Sequence, residues 1–186
     1  MNERADALAK LGAVASLINT NQRREALIHS IKLSNPKAYI VGEELYPAFS
    51  EVLDELPRED EPLFFLPDTG KLEVPEGFTD LNHASDRASG ENPLTTGRVR
   101  MKDPCFYIFT SGTTGLPKAS IMTHFRWVKA SAGFGFCALR LKPGEAIYTA
   151  LPLYHNNALT VSWSSASAGG AAIALRRKFS VSQFWD

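Results

Sequence analysis

The chain has 186 residues and a mass of 20.4 kDa, with 44% hydrophobic and 22% charged residues. That is room for one domain, or a large part of one, with a real core. Twenty basic residues balance twenty acidic ones, so no overall charge draws the chain to nucleic acid or to an anionic membrane. The ordinary apolar and aromatic content excludes a disordered or fibrous chain. Cys105 and Cys137 are too few for a disulfide framework, and both lie in apolar stretches, so reduced, buried thiols are expected.

The charged start, Met1 to Asp6, runs into a helical pattern and does not read as a signal peptide. Leu8, Leu11, Ala15 and Ile18 lie near one helical face, although the end of this run suits a strand equally well. After the turn Asn19-Thr20-Asn21, Leu27, Ile28 and Ile31 mark a second helix, closed by Asn35-Pro36. A short strand is predicted over Lys37 to Val41. A third helix starts near Pro47 and carries Leu45, Phe49, Val52, Leu53 and Leu56 at helical spacing. Leu63 to Leu66 reads as a buried strand.

From Pro67 to Pro104 glycines, prolines and charges recur and apolar runs cease, which predicts a long surface excursion and not a second domain. Cys105 to Phe109 is a strong strand. It is followed by a β segment over Ala119 to Met122, a helix from about Phe125 to Leu139, and a strand over Ala146 to Leu151. Ala158 to Leu175 carries no charge, which raises the question of a membrane span. Its five hydroxyl residues (Thr160, Ser162, Ser164, Ser165 and Ser167) and the pair Gly169-Gly170 instead predict a buried helix, a glycine turn and a buried strand. Ser182 to Asp186 looks like the opening turn of a further helix. Alternating β and α elements predict an α/β fold with a mainly parallel sheet covered by helices.

The sharpest feature is Thr110-Ser111-Gly112-Thr113-Thr114-Gly115-Leu116-Pro117-Lys118, directly after a predicted strand. Its glycines let the backbone turn tightly and bring N–H groups close to a ligand. Its hydroxyls suit phosphate oxygens, and Lys118 adds a positive charge at the far end. This is a candidate polyphosphate loop, distinct from the standard P-loop because Pro117 precedes Lys118. The bland alternative is a Ser/Gly/Thr-rich hairpin turn with an exposed lysine.

Gly133-Phe134-Gly135-Phe136-Cys137-Ala138 matches a relaxed dinucleotide fingerprint, but it falls within or at the end of a helix and is read instead as glycines allowing close packing. Leu151-Pro152-Leu153-Tyr154-His155-Asn156-Asn157 sits at a strand end, where open α/β sheets bind ligands. Tyr154 offers an aromatic wall. His155 can orient a carboxylate or titrate near neutrality, but a histidine beside Asn-Asn, taken alone, is more often a satisfied loop histidine. His29, His83 and His124 form no metal-ligand spacing with one another or with the cysteines, so no metal site is assigned. Neither a nucleophile elbow nor a spaced Cys/His pair supports a hydrolase.

Tyr107 to Lys118 resembles the signature of the AMP-forming adenylate synthetases, the superfamily of acyl-CoA synthetases, adenylation domains and luciferases. Leu151 to His155 resembles that family's next core motif. Ala9 to Val14, Leu17 to Asn21, Leu27, His29 and Met122 to Trp127 resemble the long-chain and very-long-chain fatty acyl-CoA synthetase branch, which includes the fatty-acid transport proteins.

The resemblance implies a ligase that activates a fatty acid with ATP to an acyl-adenylate and then passes the acyl group to coenzyme A. In that scheme Thr110, Ser111, Gly112, Thr113, Thr114, Gly115 and Lys118 hold the β- and γ-phosphates. Lys118 and His155 act in catalysis, Tyr154 and His155 border the acyl site, and Mg2+ bridges phosphate oxygens. The adenine, ribose and C-terminal catalytic motifs of the family are not found in these residues. The chain therefore reads as an internal part of the large N-terminal domain, covering 1–186, and as inactive by itself. It is also expected to be poorly soluble, because a cut parallel sheet leaves apolar faces and strand edges uncovered. The resemblance places the parent enzyme in the cytoplasm and leaves peripheral membrane contact through its lipid substrate open. Three other readings stand beside this one: a synthetase for another carboxylic acid, a non-catalytic nucleotide- or acyl-binding paralogue, and a membrane transporter resting on Ala158 to Leu175.

Overall fold

A computed structural model of the chain describes residues 2–110 and 115–185, with the side chains of 2–6 outside that description. In chain order the main elements are α1 (Asn2–Leu11), β1 (Ala15–Leu17), α2 (Arg24–Ser34), β2 (Tyr39–Gly42), α3 (Tyr46–Ser50), β3 (Leu63–Leu66) and β4 (Thr79–Asp80). There follow α4 (Leu81–Asp86), β5 (Pro104–Thr110), β6 (Lys118–Thr123), α5 (His124–Ala132), β7 (Ala146–Thr149), α6 (Ser164–Gly169) and β8 (Ala172–Leu175). The fold is α/β, as expected. β1–β5, β2–β3, β3–β4 and β7–β8 all pair in parallel. The strands are distributed over three sheets, ordered β1-β5-β6, β2-β3-β4 and β7-β8.

The chain divides into two compact units. One comprises Ile18–Asn92 with Thr110–Ala119; the other comprises Met1–Leu17, Pro93–Phe109 and Ser120–Asp186. In the first, α2 carries Glu25 in its opening turn and Lys32 in its last, each favourable to the helix dipole. It ends at Asn35 in the left-handed region, φ 42°, followed by Pro36. Leu27 and Ile31 of α2 pack on Tyr39 and Val41 of β2 and on Leu63 of β3. Burial alternates along β3, so Leu63 and Phe65 face inward. Tyr46, Phe65 and Phe78 meet edge-to-face with ring centroids 5.6–6.4 Å apart.

The third predicted helix is realised as pieces: a 3₁₀ turn at Glu43–Leu45, the five-residue α3, and a second 3₁₀ turn at Leu53–Glu55. Its apolar residues still turn inward, because periods of 3.0 and 3.6 both bring positions three and four apart to one side. The predicted surface excursion is divided between the units, with Pro67–Asn92 in one and Pro93 onward in the other. It also has more order than its composition suggested. β4 pairs with β3, and Phe78 joins the aromatic cluster.

The other unit is built on Ala15, Leu17, Cys105, Phe106, Ile108, Met122 and Leu159, with Trp127 of α5 packed on Phe106 at a centroid distance of 4.9 Å. α5 starts at the Thr123 cap, whose hydroxyl accepts from the Arg126 N–H at 3.3 Å. A π-helical segment, Gly133–Ala138, continues α5. The expectation of close glycine packing holds at Gly135, where an added Cβ would lie 2.9 Å from the Ser165 carbonyl oxygen. It does not hold at Gly133, which has open space around it. Cys137 corrects a second expectation, since it is exposed while Cys105 is buried. The uncharged stretch has the predicted order, a π-helical segment Asn157–Trp163, then α6, then Gly170 in the left-handed conformation (φ 67°), then β8. The strand is not buried as expected, since three of its four residues are exposed, Leu175 among them. Among the described residues no helix is long and apolar enough to cross a membrane.

Candidate functional site

The candidate phosphate loop leaves β5 at Thr110 and returns to β6 at Lys118. Ser111, Gly112, Thr113 and Thr114 lie outside the described residues. The flanks are defined. Gly115 has φ +92° with nothing within 4 Å of where a Cβ would stand, so only the backbone conformation requires glycine there. Thr110 Oγ1 donates to the Lys118 carbonyl at 3.5 Å across the neck of the loop. Lys118 is exposed and makes no ion pair among the described residues, so its ammonium faces solvent with its donors available.

A contact that the sequence did not reveal supports this neck. His29, half-buried on α2, places Nε2 3.0 Å from the Pro117 carbonyl oxygen. The two residues are 88 positions apart in sequence. In the sequence His29 lacks metal-ligand spacing and enters only through the branch resemblance. No local period could announce a tie over that separation.

Tyr154 and His155 belong to the other unit and stand between β7 and the π-helical segment Asn157–Trp163. Tyr154 is half-buried against the cluster of Phe106 and Leu159, which fixes its ring as a wall. His155 is exposed and bound through its backbone, donating to the Pro152 carbonyl at 2.9 Å and accepting from the Leu159 N–H at 3.0 Å. Its Nδ1 accepts from the Asn157 N–H at 3.3 Å. In the neutral ring that contact leaves the proton on Nε2, which is then an outward-facing donor suited to a carboxylate oxygen. The strand just before this motif ends in a buried group, the Thr149 hydroxyl, which has no hydrogen-bond partner among the described residues.

One charged group is buried away from both motifs. The Glu43 carboxylate, on a side chain 2% exposed, accepts from the N–H groups of Thr69, Gly70, Lys71 and Leu72 at 2.6–2.8 Å. Burial pushes its pKa up from the ordinary 4.5. Hydrogen bonds from Thr69, Leu72 and Lys71 outweigh that and bring it down to about 2. Four donors converge on two oxygens, so the carboxylate pins residues 69–72 in place and has no capacity to spare for a ligand. No local pattern in the sequence announces this role, because the four donors lie 26 to 29 residues further along the chain.

The parallel α/β scaffold thus carries a glycine-bearing loop between β5 and β6 in one unit and an aromatic–histidine corner beyond β7 in the other. The chain belongs to the AMP-binding enzyme family, which residues 5–186 match. It is 44% identical over 180 residues to a medium/long-chain fatty-acid–CoA ligase of Mycobacterium tuberculosis, a match covering 97% of this chain and 28% of that protein. It is 39% identical over 183 residues to human long-chain fatty acid transport protein 1, covering 96% of this chain and 27% of that one. The chain thus spans about a quarter of the length of the curated relatives it matches.

Solved structures share the fold. An anthranilate–CoA ligase in complex with anthranoyl-AMP superposes with a TM-score of 0.80 at 20% identity, covering 93% of this chain and 32% of that one. The N-terminal domain of FACL13 from Mycobacterium tuberculosis gives a TM-score of 0.74 at 23% identity, covering 96% and 41%.

Proposed function

We propose that the chain is part of the N-terminal domain of an AMP-forming ligase that activates a long-chain fatty acid, with the loop from Thr110 to Lys118 as its polyphosphate cradle. The observation that carries this reading is the near-complete match of the chain to a fatty-acid–CoA ligase. The exposed Lys118 behind a left-handed Gly115 supports it.

In the first step a carboxylate oxygen would attack the α-phosphorus of ATP, forming the acyl–phosphate bond as the bond to pyrophosphate breaks. Loop N–H groups and hydroxyls, with Lys118, would hold the departing pyrophosphate, whose negative charge grows in the transition state. The His155 Nε2–H would orient the attacking carboxylate against the Tyr154 ring. In the second step the thiol of coenzyme A would replace AMP at the acyl carbon, forming a thioester. Groups that hold the adenine and ribose, and that form the thioester, are not assigned within this chain.

Magnesium would be carried by the phosphate oxygens. Among the described residues no group of three or more His, Cys, Asp or Glu could hold a metal ion. The proposed setting is the cytoplasm, with any membrane contact made through the lipid substrate.

Exchange of labelled pyrophosphate into ATP tests the reading, using the protein as its host produces it. Exchange that depends on a long-chain fatty acid is the expected result, and exchange that depends only on an aryl or amino acid would replace the substrate class. The 186-residue chain assayed by itself is expected to make no acyl-CoA. Acyl-CoA formed by that chain would overturn its assignment as a partial domain.

A further inference from the structure

We propose that His29 is a positioning residue for the phosphate loop, holding the Pro117 carbonyl and so fixing the point from which Lys118 projects. The proposal rests on the reading of that loop given above. The contact is 3.0 Å long, and the Pro117 oxygen can only accept, so Nε2 must carry the proton. Neutral imidazole with its proton on Nε2 and charged imidazolium both donate there, so the bond survives a change in the charge of the ring.

Two features make this tie matter. Proline has no N–H, so Pro117 can bond through its backbone only at the carbonyl that His29 holds. The other side-chain tie at the neck, from Thr110 Oγ1 to the Lys118 carbonyl, lies at 3.5 Å, the long limit of a hydrogen bond. The anchor itself is stiff. Leu27 and Ile31, two positions before and after His29, are buried in the unit's core, and Ser30 between them is fully buried. A ring mounted on a docked helix holds the loop's return stem at a set place, and a binding site needs that support to keep its donors aligned before the ligand arrives.

His29→Leu keeps the bulk and removes the donor, whereas His29→Gln keeps an N–H at comparable reach. Amide hydrogen exchange at Gly115, Leu116, Lys118 and Ala119, in the protein as its host produces it, reads the loop without requiring activity. Exchange in His29→Leu should rise about fivefold, the equivalent of one net hydrogen bond, and His29→Gln should stay near the parent rate. Mg·ATP affinity, measured on the same proteins, should fall in His29→Leu and recover in His29→Gln. Loop exchange in His29→Leu equal to that of the parent chain overturns the proposal, and so does an equal rise in both variants. A rise of the same size across β2 and β3 also overturns it, because His29 would then serve the fold and not the loop. If the parent chain binds no Mg·ATP, the proposed function fails, and the exchange rates alone decide the role of His29.

Discussion

The two units reach stability by opposite means. In the unit of α2, β2 and β3, large rings fill the interior, with Phe65 and Val52 at 1% exposure or less, and one buried carboxylate gathers four N–H groups. The other unit has a bulky core of its own around Phe106 and Leu159, but where α5 and α6 meet, close approach replaces bulk. Gly135 lies against the Ser165 carbonyl, Gly169 lies against Leu141, and Ser164, Ser165 and Ala166 are buried between them. The second unit also leaves large apolar groups uncovered near β7 and β8, including Tyr148, Leu175, Phe179 and, at 90% exposure, Trp185. The lesson is that removing atoms should harm the ring cluster of the first unit and adding them should harm the α5–α6 contact of the second.

The largest expected effect is on the ring-filled side. Phe65→Ala should cost about 3–5 kcal/mol, read as a drop in the denaturation midpoint, because Phe65 is fully buried and meets Tyr46 and Phe78. A loss below about 1 kcal/mol would mean that the ring cluster collapses around the gap.

Acid should strike the same unit next. The Glu43 carboxyl is held at about 2 when folded, against an ordinary 4.5, so the unfolded chain binds its proton first. Its contribution to stability is complete above pH 4.5 and is lost as pH falls from there toward 2. Glu61, held down by the Glu59 N–H, titrates in the same direction. Glu43→Gln should flatten the acid side of the stability profile and lower stability at neutral pH, because an amide nitrogen would face N–H groups.

On the glycine side, Gly169→Ala should cost about 1–3 kcal/mol, since the new Cβ would meet Leu141 Cβ at 2.7 Å and its carbonyl oxygen at 2.9 Å. Gly133→Ala, one helical segment away in open space, is the control and should be neutral or slightly stabilising. Equal costs at the two glycines would break the contrast between the units.

The smallest effects are local caps, one in each unit. Asp80→Ala removes an acceptor for the Asn82 and His83 N–H groups at 2.8 and 3.1 Å. Thr123→Ala removes one for Arg126 at 3.3 Å. Each should cost about 1 kcal/mol, with Asp80 the costlier because it serves two donors.

Much of this was legible in the sequence. β3 and β5 are dense apolar runs, and α2 is bracketed by its own stop signals, so local chemistry specified them. The break after Ala158–Leu175's helical half was written in Gly169-Gly170. What stayed hidden depends on partners far along the chain. The buried role of Glu43 needs a loop 26 to 29 residues away, and that of His29 needs a carbonyl 88 residues away. Cys137 looked buried because its neighbours are apolar, but on a π-helical turn the inward place went to Gly135. Of the candidate site, the loop's flanks, Tyr154 and His155 were read from strand ends and residue type. The tautomer of His155 required the Asn157 contact.

The central claim is that the Thr110–Lys118 loop binds polyphosphate. Calorimetric titration of pyrophosphate into the chain and into Lys118→Ala tests it most directly. The account predicts saturable binding to the parent chain and a loss of about tenfold or more in the variant, the worth of one charge-assisted contact. Equal affinity in both, or no binding to either, would contradict it.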